Sequence, residues 1–118
     1  YGVKTGKEIF CRSEFEKLGK EIRYYTEDGS FGEKGNVTKD MAKIIQSFKP
    51  KAIYACGPGM MLKEIISVSK QYKIFTQVSK EERMGCGIGA CLCCVCNTNI
   101  GYKKVCQEGP VFSAELFY

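Results

Sequence analysis

Met41, Ile44, Ile45 and Phe48 recur at the spacing i, i+3, i+4, i+7, which sets apolar side chains on one face of a helix. Thr38 stands where it can cap that helix, with Asp40 in the first turn, where a carboxylate meets the positive end of the helix dipole, and Pro50 ends the pattern. A second helix is expected over residues 60–68, with Met61, Ile65 and Val68 as its buried stripe. Nearer the start, Ser13 and Glu16 have capping-box spacing, which predicts a short helix over 14–18 stopped by Gly19. Two stretches with β-branched and aromatic residues, 21–26 and 73–78, and the short apolar run 52–56 read as strands. Tyr1-Gly2-Val3 reads as the end of another.

Strands alternating with helices predict an α/β fold around a parallel sheet, with ligands beyond the carboxyl ends of the strands. Cys56, Gly57 and Pro58 fall at such an end, where a strand passes through a tight turn into a helix. The glycines there either serve a ligand or simply permit the turn. The glycine-rich loop 29–35 lacks the spacing and the lysine of a phosphate-cradling P-loop and reads as a loop crossing a sheet edge. Cys11 has no partner at ligand spacing and is expected to be a small buried residue. The polar segment 79–83 marks a boundary, dividing the chain into residues 1–79 and a cysteine-rich module over 80–118.

Composition narrows this picture. The 118 residues are 44% hydrophobic and 26% charged without a long apolar run, so neither a membrane span nor a secretory signal is expected, and a soluble, cytoplasmic protein is. The formal charge of +5 is spread among acids, as in Lys80-Glu81-Glu82-Arg83, with no basic stripe for a nucleic acid. The chain contains no histidine, which excludes Rieske ligation and histidine acid–base chemistry.

Of eight cysteines, six crowd between residues 86 and 106, unlike the dispersed cysteines of a disulfide scaffold. Cys86, Cys91 and Cys94 form C-x4-C-x2-C, and Cys106 follows after eleven residues. This is the plant-type 2Fe-2S ligand pattern, in which two thiolates complete the tetrahedron of each sulfide-bridged iron. By analogy with it, Cys86 and Cys91 serve one iron, and Cys94 and Cys106 the other. Gly85, Gly87 and Gly89 let the loop bend close, so that backbone N–H groups reach sulfur. Other readings stand beside this one. Zinc could use Cys91 with Cys94, or Cys93 with Cys96, although only Cys106 is left to complete a ribbon. A redox C-x-x-C would need a strand before it and a helix after it, and a disulfide knot is the remaining alternative. In the four-ligand reading Cys93 and Cys96 are bystanders, either able to substitute for a missing ligand.

Residues 81–91, Cys94-Val95-Cys96 and residues 101–112 closely resemble the cluster region of the electron-transfer subunits of NAD-linked dihydroorotate dehydrogenases. Residues 54–62, around Cys56-Gly57-Pro58, resemble the Cys-Gly-Pro motif of the ferredoxin–NADP reductase superfamily, to which those subunits belong, and residues 26–35 also fit. The resemblance implies that NADH reduces an FAD and that a 2Fe-2S cluster relays single electrons. An FMN in a partner catalytic subunit then exchanges them with dihydroorotate and orotate, a step of pyrimidine biosynthesis. It assigns Cys86, Cys91, Cys94 and Cys106 as cluster ligands. Cys56, Gly57 and Pro58 become the nicotinamide-side edge of the nucleotide site. Nothing in the chain resembles the family's FAD-binding β-barrel or its pyrophosphate-cradling first loop. The chain is therefore expected to be the latter part of the nucleotide-binding domain plus a small β-rich cluster module, a poor binder of FAD and NAD, inactive alone, with an open sheet edge prone to self-association. A related reductase subunit serving sulfide or ferredoxin-linked NAD(P) chemistry, or a zinc-binding interaction module, is the alternative.

Overall fold

The computed structural model describes residues 1–19 and 21–118, which divide into two compact units, Tyr1–Lys43 and Ile44–Tyr118. The first unit carries three two-residue strands, β1 (Gly2–Val3), β2 (Tyr25–Thr26) and β3 (Glu33–Lys34), in a parallel sheet of that order. The strand expected over 21–26 is thus confined to its last two residues. Both are buried, and Thr26 explains why the following loop folds back. Its hydroxyl donates to the Phe31 carbonyl (2.7 Å) and accepts from the Phe31 N–H (3.2 Å). Gly32 takes φ +64 in that turn, and a Cβ there would collide with the Tyr24 carbonyl. The loop expected at a sheet edge therefore supplies a strand of its own, β3. Tyr1, Phe15, Tyr24 and Phe31 form a chain of tilted and edge-on rings 5.4–6.1 Å apart, the geometry favoured by aromatic quadrupoles.

Two expectations for this unit are corrected. Helix α1 runs Arg12–Leu18, so Ser13 lies inside it and Glu16 pairs with Arg12 (2.7 Å) instead of closing a capping box; Gly19 does end the helix, its N–H bonding the Phe15 carbonyl. Cys11 is exposed, because it holds the turn before α1 at φ 53, where its side chain has no core to enter.

Helix α2 (Met41–Phe48) begins one residue after Asp40, which therefore precedes the first turn, and Thr38 Oγ1 donates to Asn36. Of its predicted face only Ile45 is buried; Phe48, at the last helical position, is 72% exposed.

The second unit holds the core that positions the cysteines. Strand β4 (Ala52–Cys56) passes through Gly57-Pro58 into α3 (Gly59–Tyr72), and β5 (Phe75–Ser79) returns parallel to β4. This is the strand–turn–helix expected. The buried row of α3 is Leu62, Ile65, Ile66 and Ser69, shifted from the expected stripe, in which only Ile65 is fully buried. Lys73 takes a left-handed φ of 53 to close the helix, which is why β5 starts at Phe75. Beyond the cysteine loop come a hairpin, β6 (Val95–Thr98) and β7 (Gly101–Lys104), the short helix α4 (Val105–Glu108) and β8 (Val111–Ser113). Strand β8 pairs antiparallel with β5, setting Phe112 opposite Val78. Residues on both sides of position 80 thereby share one sheet. Two clusters make the interior: Leu62, Ile66, Val78 and Ala114, and Cys94, Cys96, Val105 and Phe112. Burying each of the leucine, isoleucine, valine and phenylalanine side chains contributes about 1.5–3 kcal/mol. Among the described residues no helix is long and apolar enough to cross a membrane.

Candidate metal centre

The four cysteines of the C-x4-C-x2-C…C pattern arrive in two pairs. Cys86 and Cys91 lie on the loop after β5 and are tied reciprocally: each backbone N–H donates to the other's sulfur at 3.4 Å. Cys94, at the entrance to β6, meets Cys106 of α4, whose N–H donates to Cys94 Sγ at 3.4 Å. The Val105 N–H donates to the Cys94 carbonyl (3.0 Å), so two consecutive residues of α4 clamp one cysteine.

The loop is shaped by glycine where shape is needed. Gly87 (φ +70) and Gly89 (φ +78) hold the left-handed conformation, which glycine adopts without steric cost. Gly85 is needed for space, since a Cβ on it would stand 2.8 Å from Cys91 Sγ and 3.1 Å from Cys93 Sγ. Leu92 also sits at φ 60, a conformation that costs a residue with a Cβ on the order of 1 kcal/mol. Gly89 is tied across to the end of β7, its carbonyl accepting from Lys104 Nζ at 3.3 Å.

The electrostatics follow the pairing. The Cys91 N–H, then the Ile88 N–H and the Cys91 thiol, favour the Cys86 thiolate and pull its pKa down to about 6. The N–H and thiol of Cys106 likewise lower Cys94, while Cys106, donating to Cys94, is raised. Cys93 is raised chiefly by donating to Cys91. Burial raises Cys96, which belongs to the apolar core. Each pair thus favours a thiolate at one sulfur, the form that binds metal.

These donors suit a 2Fe-2S cluster. Soft sulfur ligands come two by two, backbone N–H groups already point at sulfur, and Gly85 leaves the space a side chain would fill. Among the described residues no group of three or more cysteine or carboxylate side chains is placed to hold a metal ion.

Sequence reading missed the group that holds α4 in place. Glu108 reaches back to accept the Lys104 N–H (2.7 Å) and pairs with Lys103 Nζ (2.8 Å), contacts that keep its carboxyl below the usual range, the Lys103 hydrogen bond most of all. A glutamate four residues after Lys104 was the available signal. It was hidden because a one-turn helix has no periodicity to announce it.

Cys56, Gly57 and Pro58 are placed apart along the chain, at the carboxyl end of β4. Cys56 is exposed and in register with Ser79, from which the chain leaves toward the cysteine loop. Gly57 has φ +156, and a Cβ there would run into the Met61 side chain; Pro58 then caps α3, its carbonyl accepting the Leu62 N–H (3.0 Å). The turn alone accounts for these residue types. No acidic residue stands in the first turn of α3, so its free N–H groups keep their positive end uncompensated.

Residues 81–117 match the family model of the iron–sulfur cluster binding domain of dihydroorotate dehydrogenase B. The chain is 45% identical over 116 residues to the dihydroorotate dehydrogenase B (NAD(+)) electron transfer subunit of Geobacillus sp. (strain WCH70), an alignment covering 96% of this chain and 43% of that protein. The corresponding subunit of Desulforamulus reducens is 40% identical over 115 residues, covering 94% and 44%. A probable one from Methanocaldococcus jannaschii is 39% identical over 112 residues, covering 94% and 42%. The chain therefore spans less than half the length of these relatives. Among solved structures, one described as the NADH-dependent reduced ferredoxin-NADP oxidoreductase superposes with a TM-score of 0.78 over 98% of this chain and 41% of that one, at 22% identity, a likeness of fold.

Proposed function

From the match of residues 81–117 to the family model of the iron–sulfur cluster binding domain of dihydroorotate dehydrogenase B, we propose that this chain is the electron-relay portion of such an electron-transfer subunit. Its ligands are Cys86, Cys91, Cys94 and Cys106. The observation that carries the reading is the pairing of Cys86 with Cys91 and of Cys94 with Cys106, two donors for each of two irons. A 2Fe-2S cluster bound there takes up and gives up one electron at a time.

The residues of the chain do the rest. Cys94, only 3% exposed, shields one side of the site from water. Gly85, Gly87 and Gly89 bring the loop backbone to the sulfurs of the other side. That side faces solvent, with Met84, Ile88 and Leu92 exposed around it, and offers a short path for an electron to leave.

In this reading residues 1–79 are the latter part of a pyridine-nucleotide-binding domain and residues 80–118 the cluster module. Cys56, Gly57 and Pro58 form the nicotinamide-side edge of the nucleotide site, supported by their place at a strand end before an uncompensated helix amino terminus. In the whole protein electrons pass from NADH through FAD to the cluster. They leave to the FMN of a cytoplasmic dihydroorotate dehydrogenase catalytic subunit. This span alone does not catalyse that transfer, and its open strand β4 favours self-association.

Iron and acid-labile sulfide analysis of anaerobically purified protein tests the reading, with an electron paramagnetic resonance spectrum after reduction. Two irons and two sulfides per chain are expected; zinc without sulfide refutes it.

A further inference from the structure

Cys93 is the thiol that a four-ligand set leaves over, and it lies beside one of the four. Its sulfur and that of Cys91 flank the same point next to Gly85, 3.1 and 2.8 Å from where a Cβ would stand. Leu92 between them is left-handed at φ 60, which curls the backbone so that neighbouring odd-numbered side chains converge. The remaining spare thiol of the module has no such access: Cys96 points into the core with Val105 and Phe112. Cys94 and Cys106 are committed to each other.

We propose that Cys93 is an alternative ligand for the coordination position of Cys91, so that two interchangeable thiols serve one corner of the cluster site. The inference rests on the cluster reading given above. The exchange is thiolate for thiolate. Cys93 releases its proton to solvent, the iron–sulfur bond to Cys91 breaks as the bond to Cys93 forms, and Cys91 takes up a proton. Charge and electron count are unchanged. Both side chains are exposed, and left-handed glycines at 87 and 89 give the loop freedom to shift by the distance between two adjacent sulfurs. An exposed ligand open to chemical modification thereby has a substitute within reach, on the half of the site that faces solvent.

The test compares wild type, Cys91→Ser, Cys93→Ser and the double variant Cys91→Ser/Cys93→Ser in the full-length polypeptide, purified anaerobically. Iron, sulfide, far-ultraviolet circular dichroism and the paramagnetic resonance spectrum of the reduced protein are measured. Cys91→Ser is expected to keep most of its iron with shifted g values, Cys93→Ser to match wild type, and the double variant to lose about tenfold or more of its iron. A Cys91→Ser protein as empty as the double variant overturns the proposal, and so does a double variant as full as Cys91→Ser, which would mean another donor. A wild type without iron and sulfide overturns the cluster reading itself, and this inference with it. Should Cys91→Ser fail to fold, the wild-type chain stripped of iron is treated with phenylarsine oxide, which bridges two thiols that can share one arsenic. A mapped Cys91–Cys93 bridge is expected; bridges confined to Cys86–Cys91 and Cys94–Cys106 contradict the proposal.

Discussion

Cys94 and Cys106 are held by structure that would stand without a metal, whereas Cys86 and Cys91 are held by a loop that has little else to fold around. The first pair is framed by a hairpin and a helix turn, Cys94 buried with Val105 and Phe112 and Cys106 half-buried against them, and is locked by the Val105 N–H on the Cys94 carbonyl. The second pair lies among exposed residues, its shape set by left-handed glycines and two long N–H to sulfur contacts. One half of the site is thus preorganised by apolar burial. The other has its two thiols exposed and is shaped by the loop backbone itself. The lesson is that rigidity and access are separated within a single constellation of four like residues.

Phe112→Ala removes a ring buried against Cys94, Cys96 and Val105 and edge-on to Phe117, and is expected to cost about 3–5 kcal/mol, a large part of a small domain's stability. Thermal unfolding measures it, and an unchanged midpoint would mean that the first pair is not held by its core. Next, Cys106→Ser is expected to abolish the cluster, read as iron and sulfide per chain, while Cys93→Ser leaves both near wild type; equal loss from the two would show the ligand set to be wrong. Gly85→Ala places a methyl group 2.8 Å from Cys91 Sγ and is expected to lower cluster content by about tenfold with circular dichroism preserved. Full loading of this variant would show that the loop yields more freely than described. The smallest effect belongs to Ile88→Ser, at a 73% exposed position, with a change within about 0.5 kcal/mol. A loss comparable to that of Phe112→Ala would erase the distinction between the halves.

Much of this was legible from residue order. The strand–turn–helix from Ala52 through α3 followed from an apolar run, Gly57-Pro58-Gly59 and a helical stripe, because local backbone preferences there agree with the fold. The C-x4-C-x2-C spacing picked out Cys86, Cys91, Cys94 and Cys106 as candidates, because metal ligation imposes spacing. Less legible were features fixed by contacts distant in sequence. Glu108 is explained by the backbone of Lys104 and the amine of Lys103, which only a folded turn brings to it. Cys11 was misjudged because a cysteine is small and apolar enough for a core, yet the turn before α1 offers it none. Phe48 fits its helix period but falls on the last helical residue, where nothing covers it.

The sequence by itself singled out Cys86, Cys91, Cys94 and Cys106 as candidate ligands, through C-x4-C-x2-C spacing and a cysteine eleven residues further on. It also pointed to the α/β character, through helical spacing of three to four residues between β-branched, aromatic and apolar stretches. Only the tertiary structure decided how those thiols are divided and supported. Pairing across α4 and β6 buries Cys94 and Cys96 in one core, leaves Cys86, Cys91 and Cys93 on a solvent-facing loop, and ties the module to β5 through β8. The physical reason is that ligand type and spacing are properties of the chain, whereas burial depends on residues that meet only after folding.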